Sequence, residues 1–250
     1  MTTVLAVAAV VGATLPAASP AQAVAKGEAA ATGQFPYSVK LTMTDIPNAD
    51  GTTYDSACSA GLISPQWIIT AGHCFHDTAR NPVSGPVPYK TVATLGKADV
   101  ADTSGEEVDV VEVRQAGTDD IAPAKLAKPV EGLETLRIPD GAPTAGEQLV
   151  LAGWGARNST DVTPSTHLYY GKVAVSSVAD TTAGVQGVWP AADTSACTYD
   201  SGAPYFSLDD SGNATIAGVE SDGPDCPHTT SETVGRVDVV ADWIGEELGY

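Results

Sequence analysis

Lysine and arginine are scarce in this chain. Twelve of them stand against 31 aspartates and glutamates in 250 residues, a formal net charge of −19 at pH 7. A polyanion of this kind is repelled by phosphate backbones and by anionic lipid, which argues against nucleic-acid binding and adhesion to membrane surfaces. Aromatic residues make up only 6% and charged residues 17%, yet 43% of the chain is hydrophobic, enough to bury a core. The length fits one large domain or two small ones on a prior of ~150 residues each. There are just four cysteines, with no CxxC pair, and four histidines. That spacing lacks the pattern of a zinc site, so neither a metal nor another cofactor is expected.

Long apolar runs are also missing. The longest, Val4 to Leu15, is interrupted by Gly12 and is too short to span a bilayer as a stable helix. Pro16, Ser19 and Pro20 follow it, and then Ala21-Gln22-Ala23, a small-x-small pattern. Residues 1–23 therefore read as a secretory signal peptide cleaved before Val24, although no basic residue follows Met1. The expected product is a secreted monomer that is not attached to a membrane once the signal is removed. In an exported protein the four cysteines form two disulfides, with three connectivities possible.

What is present is β-like. Short apolar or alternating runs recur at Tyr37–Met43, Ser59–Ile63, Trp67–Ile69, Thr91–Leu95, Val108–Val113, Gln148–Ala152, Leu168–Val175, Tyr205–Ser207, Thr215–Val219 and Gly235–Val240, separated by Pro-, Gly-, Asn- and Asp-rich turns. Such a pattern predicts a sandwich or barrels. Only the C-terminus looks helical, with Asp238 as cap and Gly249 as stop. Lys125–Pro143 is the candidate linker between two halves.

Three constellations carry chemistry. In Trp67-Ile68-Ile69-Thr70-Ala71-Gly72-His73-Cys74 an apolar strand delivers a histidine at its end, the rigid setting that a general base needs. In Asp119-Asp120-Ile121-Ala122-Pro123-Ala124-Lys125-Leu126 a carboxylate stands at the edge of an apolar run, where it can orient an imidazole and stabilise the imidazolium. In Cys197-Thr198-Tyr199-Asp200-Ser201-Gly202-Ala203-Pro204 a serine sits in a tight turn. A serine hydroxyl becomes a competent nucleophile only when an adjacent base takes its proton.

These segments resemble the chymotrypsin/trypsin-like serine endopeptidases, in particular their secreted bacterial members. Thr70–Cys74 is similar to the TAAHC motif, Asp120–Leu126 to DIALLKL and Asp200–Pro204 to DSGGP, in the His…Asp…Ser order of that family. Weaker likenesses are Gly33-Gln34-Phe35-Pro36-Tyr37, Gly153-Trp154-Gly155, Arg236-Val237 and Trp243-Ile244. The resemblance implies an all-β fold of two six-stranded antiparallel β-barrels, 24–130 and 131–250, with the active site between them and a C-terminal α-helix. It implies the bridges Cys58–Cys74 and Cys197–Cys226. It further implies Ser201 as nucleophile, His73 as base, Asp120 as orienting carboxylate, an oxyanion hole of the Tyr199 and Ser201 N–H groups, and a polypeptide substrate. An α/β-hydrolase is disfavoured, because the chain order differs and no GxSxG elbow surrounds Ser201.

The departures from the family pattern are specific. Tyr199 occupies a position where the family has glycine, and a Cβ there penalises some backbone angles. A catalytically weakened homologue acting as a binding protein is therefore the alternative reading. Gly72 replaces an alanine. By resemblance, cleavage before Val24 frees an amine that pairs with Asp200, and a chain retaining residues 1–23 should leave Asp200 without that partner. The substrate pocket is assigned to Ser195, Ser221, Asp222, Gly223 and Glu232. Ser195 stands where trypsin-like members carry aspartate, whereas Glu232 offers a carboxylate that would attract Lys or Arg.

Overall fold

The computed structural model describes residues 24–117 and 119–249. Fourteen strands occur among them: β1 (Glu28–Ala29), β2 (Ser38–Pro47), β3 (Thr53–Ser64), β4 (Trp67–Thr70), β5 (Gly85–Pro86), β6 (Lys90–Leu95), β7 (Glu106–Val113), β8 (Ala122–Leu126), β9 (Gln148–Gly153), β10 (Tyr169–Val178), β11 (Thr182–Trp189), β12 (Pro204–Leu208), β13 (Ala214–Asp222) and β14 (Glu232–Arg236). One helix, α1 (Ala241–Leu248), closes the chain.

The first sheet runs β5-β7-β6-β2-β3-β4-β8 and closes through β7–β8. The second runs β1-β10-β11-β14-β13-β12-β9 and closes through β10–β9. Setting aside the two-residue edge strands β1 and β5, each sheet is a closed six-stranded antiparallel barrel, as the family resemblance implies. Closure leaves no long unpaired edge exposed. Alternation explains the strands. In β7, Val108, Val110 and Val113 point inward while Glu107 and Asp109 face solvent. β4, by contrast, is buried along its whole length.

Several boundaries differ from the sequence reading. β8 and β11 are full strands where none was read, and the last strand spans Glu232–Arg236 instead of Gly235–Val240. Asp238 does not cap the helix; its carboxylate holds the Arg236 guanidinium at 3.1 and 2.5 Å, and α1 starts at Ala241 without a side-chain cap. Gly249 does end the helix, at φ +75°. Lys125 and Leu126 belong to β8 and not to a linker.

Phe35 and Tyr37 wedge between the barrels. Their rings meet Phe206 of β12 edge-on at centroid distances of 5.4 and 5.1 Å, and Phe35 meets Tyr170 of β10 at 5.1 Å. The buried cluster around them takes side chains from both sheets. Aromatic pairs of this geometry add about 0.5–1.5 kcal/mol beyond their buried area. The wedge thus fixes the two walls of the cleft that runs between the barrels.

Candidate active site

β4 ends at Thr70, and its buried Ile68 and Ile69 anchor the short turn that carries His73. Cys74, next in sequence, is bridged to Cys58 of β3, and Cys197 is bridged to Cys226. Asp120 stands two residues before β8, which pairs with β4, so the strand register brings the acid beside the histidine. The His73 ring Nδ1 lies 2.8 Å from Asp120 Oδ2, and the His73 backbone N–H donates to Oδ1, also at 2.8 Å. The Ser221 hydroxyl adds a third bond to Oδ2 at 2.6 Å. Burial pushes the Asp120 carboxyl up, but the bonds and charge of His73 and the Ser221 hydroxyl outweigh it, holding the group below its ordinary value. Asp119, the neighbouring carboxylate, takes no part in this set.

His73, Cys74, Cys58, Tyr199 and Ser201 line one cavity of about 220 Å³. No hydrogen bond closes between the Ser201 hydroxyl and the His73 ring in this structure; such bonds often tighten only when substrate is bound. Ser201 sits in a turn fixed from both sides. The Ser201 carbonyl accepts the Ser59 N–H at 2.9 Å, and the Ala203 N–H reaches the Asp200 carbonyl at 2.7 Å. Gly202, at φ +80°, has no room for a side chain: a Cβ would stand 2.0 Å from Thr70 Oγ1 and 2.5 Å from the Ser59 carbonyl.

Tyr199 adopts φ +76°, the left-handed region that glycine favours. The Thr198 carbonyl accepts the Ala156 N–H at 2.6 Å. Across a trans peptide the N–H points opposite to the carbonyl, so the Tyr199 N–H is aimed away from Ala156. Neither it nor the Ser201 N–H donates to any described residue.

Asp200 is fully buried. Its carboxylate accepts the Gly155 N–H at 2.8 Å and the Cys197 N–H at 3.0 Å. The Gly153-Trp154-Gly155 motif has a steric cause here, because a Cβ at Gly153 or Gly155 would stand 2.0 or 2.4 Å from that carboxyl group. The Val24 backbone N–H, an amide and not a free amine in this chain, also donates to Asp200. Even so, burial raises the Asp200 carboxyl to about 7. Val24 itself is fully buried, at φ +48°. The predicted signal segment 1–23 lies outside the described residues.

Of the residues assigned to the substrate pocket, Ser221, Asp222 and Gly223 line a second cavity of about 180 Å³, together with Ser201, Ala196 and Glu220. Ser195 is buried behind Ala196, with its hydroxyl unpartnered among the described residues. Glu232 is buried behind Gly223, where a Cβ would stand 3.2 Å from its Cγ. Glu220, Tyr205, Ser59 and Gln115 were not singled out from the sequence. Glu220 joins the pocket wall, and Gln115 donates to the carbonyls of Gly72 and Val83 at 3.0 and 3.2 Å beneath the His73 turn. Among the described residues no helix is long and apolar enough to cross a membrane, and no cluster of His, Cys, Asp and Glu is arranged to hold a metal.

A family model described as Trypsin matches residues 24–244. The chain is 25% identical over 233 residues to the venom peptide isomerase heavy chain of Agelenopsis aperta, covering 80% of this chain and 89% of that one. It is 27% identical to fibrinolytic enzyme, isozyme C, of Lumbricus rubellus, over 88% and 98% of the two chains. It is also 28% identical to transmembrane protease serine 11C of Mus musculus, matching 90% of this chain but 54% of that one, so it spans about half the length of that relative. A solved structure of HL collagenase shares the fold, with a TM-score of 0.71 at 24% identity over 91% of this chain and 99% of the other. With two closed barrels, paired cysteines in each half and a family match over nearly all the described residues, the chain belongs to the trypsin family of serine proteases.

Proposed function

We propose that this protein is a secreted serine endopeptidase that cleaves peptide bonds through an acyl-enzyme on Ser201. The observation that carries the reading is the doubly bonded Asp120–His73 pair, which opens onto the cavity that Ser201 also lines. His73 takes the Ser201 proton as the hydroxyl attacks the scissile carbonyl, and returns it to the leaving amine. Asp120 holds the imidazole in the tautomer whose free nitrogen accepts, and stabilises the imidazolium. The Tyr199 and Ser201 N–H groups, unclaimed among the described residues, receive the developing oxyanion. Donors preset in this way are worth roughly 2.7–4 kcal/mol each in comparable sites.

The N-terminus supports an activation step. A β-branched residue at positive φ is strained, and Val24 is held there only while a peptide bond precedes it. Cleavage before Val24 removes that dihedral and leaves a cation where the backbone nitrogen already meets Asp200. Signal removal would then complete the site without a separate zymogen step. Two disulfides accord with an oxidising, extracellular setting.

The test is labelling with a fluorophosphonate reagent followed by peptide mapping, alongside casein hydrolysis. Modification of Ser201, with activity abolished in Ser201→Ala, is the expected result. The Ser201 hydroxyl, which makes no hydrogen bond to the His73 ring, favours a second reading, a binding protein on the same scaffold. Folded, processed protein that neither labels nor cleaves would establish that reading instead.

A further inference from the structure

Two cavities meet at Ser201, and they differ in charge. The 180 Å³ cavity is walled by Glu220, Asp222 and Asp225, and behind it the Tyr205 hydroxyl lies 2.7 Å from Glu220 Oε2 and 2.6 Å from Glu232 Oε2. The 220 Å³ cavity is lined by no aspartate or glutamate among the described residues. Met43, Ile46 and Tyr54 give it apolar surface, and its one permanent charge is the guanidinium of Arg80.

Arg80 differs from the other arginines. The chain has five, and Arg114, Arg137, Arg157 and Arg236 each lie within 3.4 Å of a carboxylate oxygen. Arg80 pairs with no carboxylate among the described residues, yet it is held. The buried His76 has Nδ1 2.7 Å from the Asp77 carbonyl, which can only accept, so the ring proton is on Nδ1 and Nε2 is an acceptor. Arg80 Nη1 donates to that Nε2 at 3.0 Å, and the guanidinium carbon stands 5.2 Å from the centre of the Tyr54 ring. Asp77, the nearest acid in sequence, has its carboxylate taken by the N–H groups of Ala79 and Asn81 and by the Asn81 side chain. Only neutral groups therefore meet the Arg80 charge, and four of its five N–H donors are left for a ligand.

His73 decides which part of a substrate lies there. It returns its proton to the leaving amine, so the residues after the scissile bond depart on the imidazole side, where His73 and the Cys58–Cys74 bridge line the 220 Å³ cavity. An extended chain advances ~3.3 Å per residue, so a space of this size takes side chains from the first two of them. We propose that Arg80, held on His76 and Tyr54, selects an aspartate or glutamate side chain at the first or second residue after the scissile bond. The proposal rests on the endopeptidase reading and adds a specificity-determining residue to it. A carboxylate accepts two parallel guanidinium N–H groups, and a chain of net charge −19 offers such a substrate few other cations.

The experiment compares kcat/KM of the processed protein for peptides that differ only at those two residues, carrying Glu, Gln, Leu or Lys, all amidated at the C-terminus. Glu is expected to exceed Gln about three- to tenfold, as for a charge-assisted contact still open to solvent. In Arg80→Gln the difference should vanish. In Arg80→Glu the order should invert, with Lys above Glu, an outcome that misfolding cannot produce. Calorimetric binding of the same peptides to Ser201→Ala reads the contact without hydrolysis, and the same order is expected. Equal values for Glu and Gln, a wild-type preference for Leu or Lys, or a Glu preference that survives in Arg80→Glu overturns the proposal. A gain confined to peptides ending in a free C-terminal carboxylate also overturns it. If Ser201 neither labels nor cleaves, but Glu peptides bind more tightly than Gln peptides and Arg80→Glu inverts the order, the role of Arg80 stands and only the endopeptidase reading falls. Cleavage without discrimination sinks Arg80 and leaves the endopeptidase reading intact.

Discussion

The hydroxyl of Ser59 donates to the carbonyl of Tyr199 at 3.2 Å, tying a strand of the first barrel to the turn that holds Ser201 in the second. The same hydroxyl accepts the Trp154 N–H at 3.0 Å, and the Ser59 N–H holds the Ser201 carbonyl. One fully buried residue therefore sets the pitch of the peptide before Asp200 and of the one after Ser201. Ser59→Ala should leave the buried Trp154 N–H without a partner and cost about 1–3 kcal/mol in stability. Because the Tyr199 peptide loosens, kcat should fall roughly ten- to a hundredfold with little change in KM. Urea melts and steady-state kinetics on one preparation check both; a change in KM alone would contradict the positioning role.

Tyr199 carries a backbone penalty on the order of 1–2 kcal/mol for its left-handed conformation. Its side chain packs by the Cys197–Cys226 bridge and returns part of that. Tyr199→Gly is expected to shift the melting temperature only slightly, the two effects nearly cancelling. With the Thr198 carbonyl held by Ala156, the N–H is already oriented, so kcat should change by less than about tenfold. A gain of a hundred- to a thousandfold would mean that tyrosine keeps this donor out of place.

Asp200 makes stability depend on pH with a definite sign. Its folded value of about 7 lies above the ordinary 3.8. Below 3.8 both states carry the proton and nothing changes; between there and about 7 the unfolded chain ionises while the folded one does not. A chain still blocked before Val24 should therefore lose stability as pH rises through that window, by up to about 4 kcal/mol. The processed chain, with a cationic amine at Asp200, should lose much less. Melting temperatures of an N-terminally extended form and the processed form between pH 4 and 8 measure the difference, and parallel curves would contradict the pairing.

How far the sequence carries can be read from particular residues. His73, Asp120 and Ser201 were legible because each sits at a strand end or turn with its own local signature. The glycines of Gly153-Trp154-Gly155 were visible as a motif, but their cause, the Asp200 carboxyl between them, was not. β11 was missed because Gly184 and Gly187 interrupt its alternation; both are there for close approach, to Ser177 Oγ and to the Thr194 carbonyl. Pro123 hid β8 in the same way. The meeting of Tyr205, Glu220 and Glu232 follows from strand order alone, since 15 and 27 residues separate the tyrosine from its partners. Asp238 looked like a helix cap because nothing local shows that Arg236 claims its carboxylate.

Gly72 and Gln115 form a matched pair beneath the turn that carries His73. A Cβ at Gly72 would stand 2.4 Å from Gln115 Oε1 and 3.2 Å from Asp120 Oδ1, while the Gln115 amide donates to the carbonyls of Gly72, Val83 and, at 3.5 Å, Phe75. The glycine thus makes room for a side chain that ties the turn to its neighbours. Gly72→Ala should displace the amide and cost about 1–3 kcal/mol, as expected when buried carbonyls lose a donor. Gln115→Ala should cost a similar amount through the same lost bonds. In the double variant the clash is gone, so the combined loss should be clearly smaller than the sum, a coupling of about 0.5–3 kcal/mol. Additive losses in thermal or urea unfolding would show that the alanine found here in the family pattern is excluded by something other than Gln115.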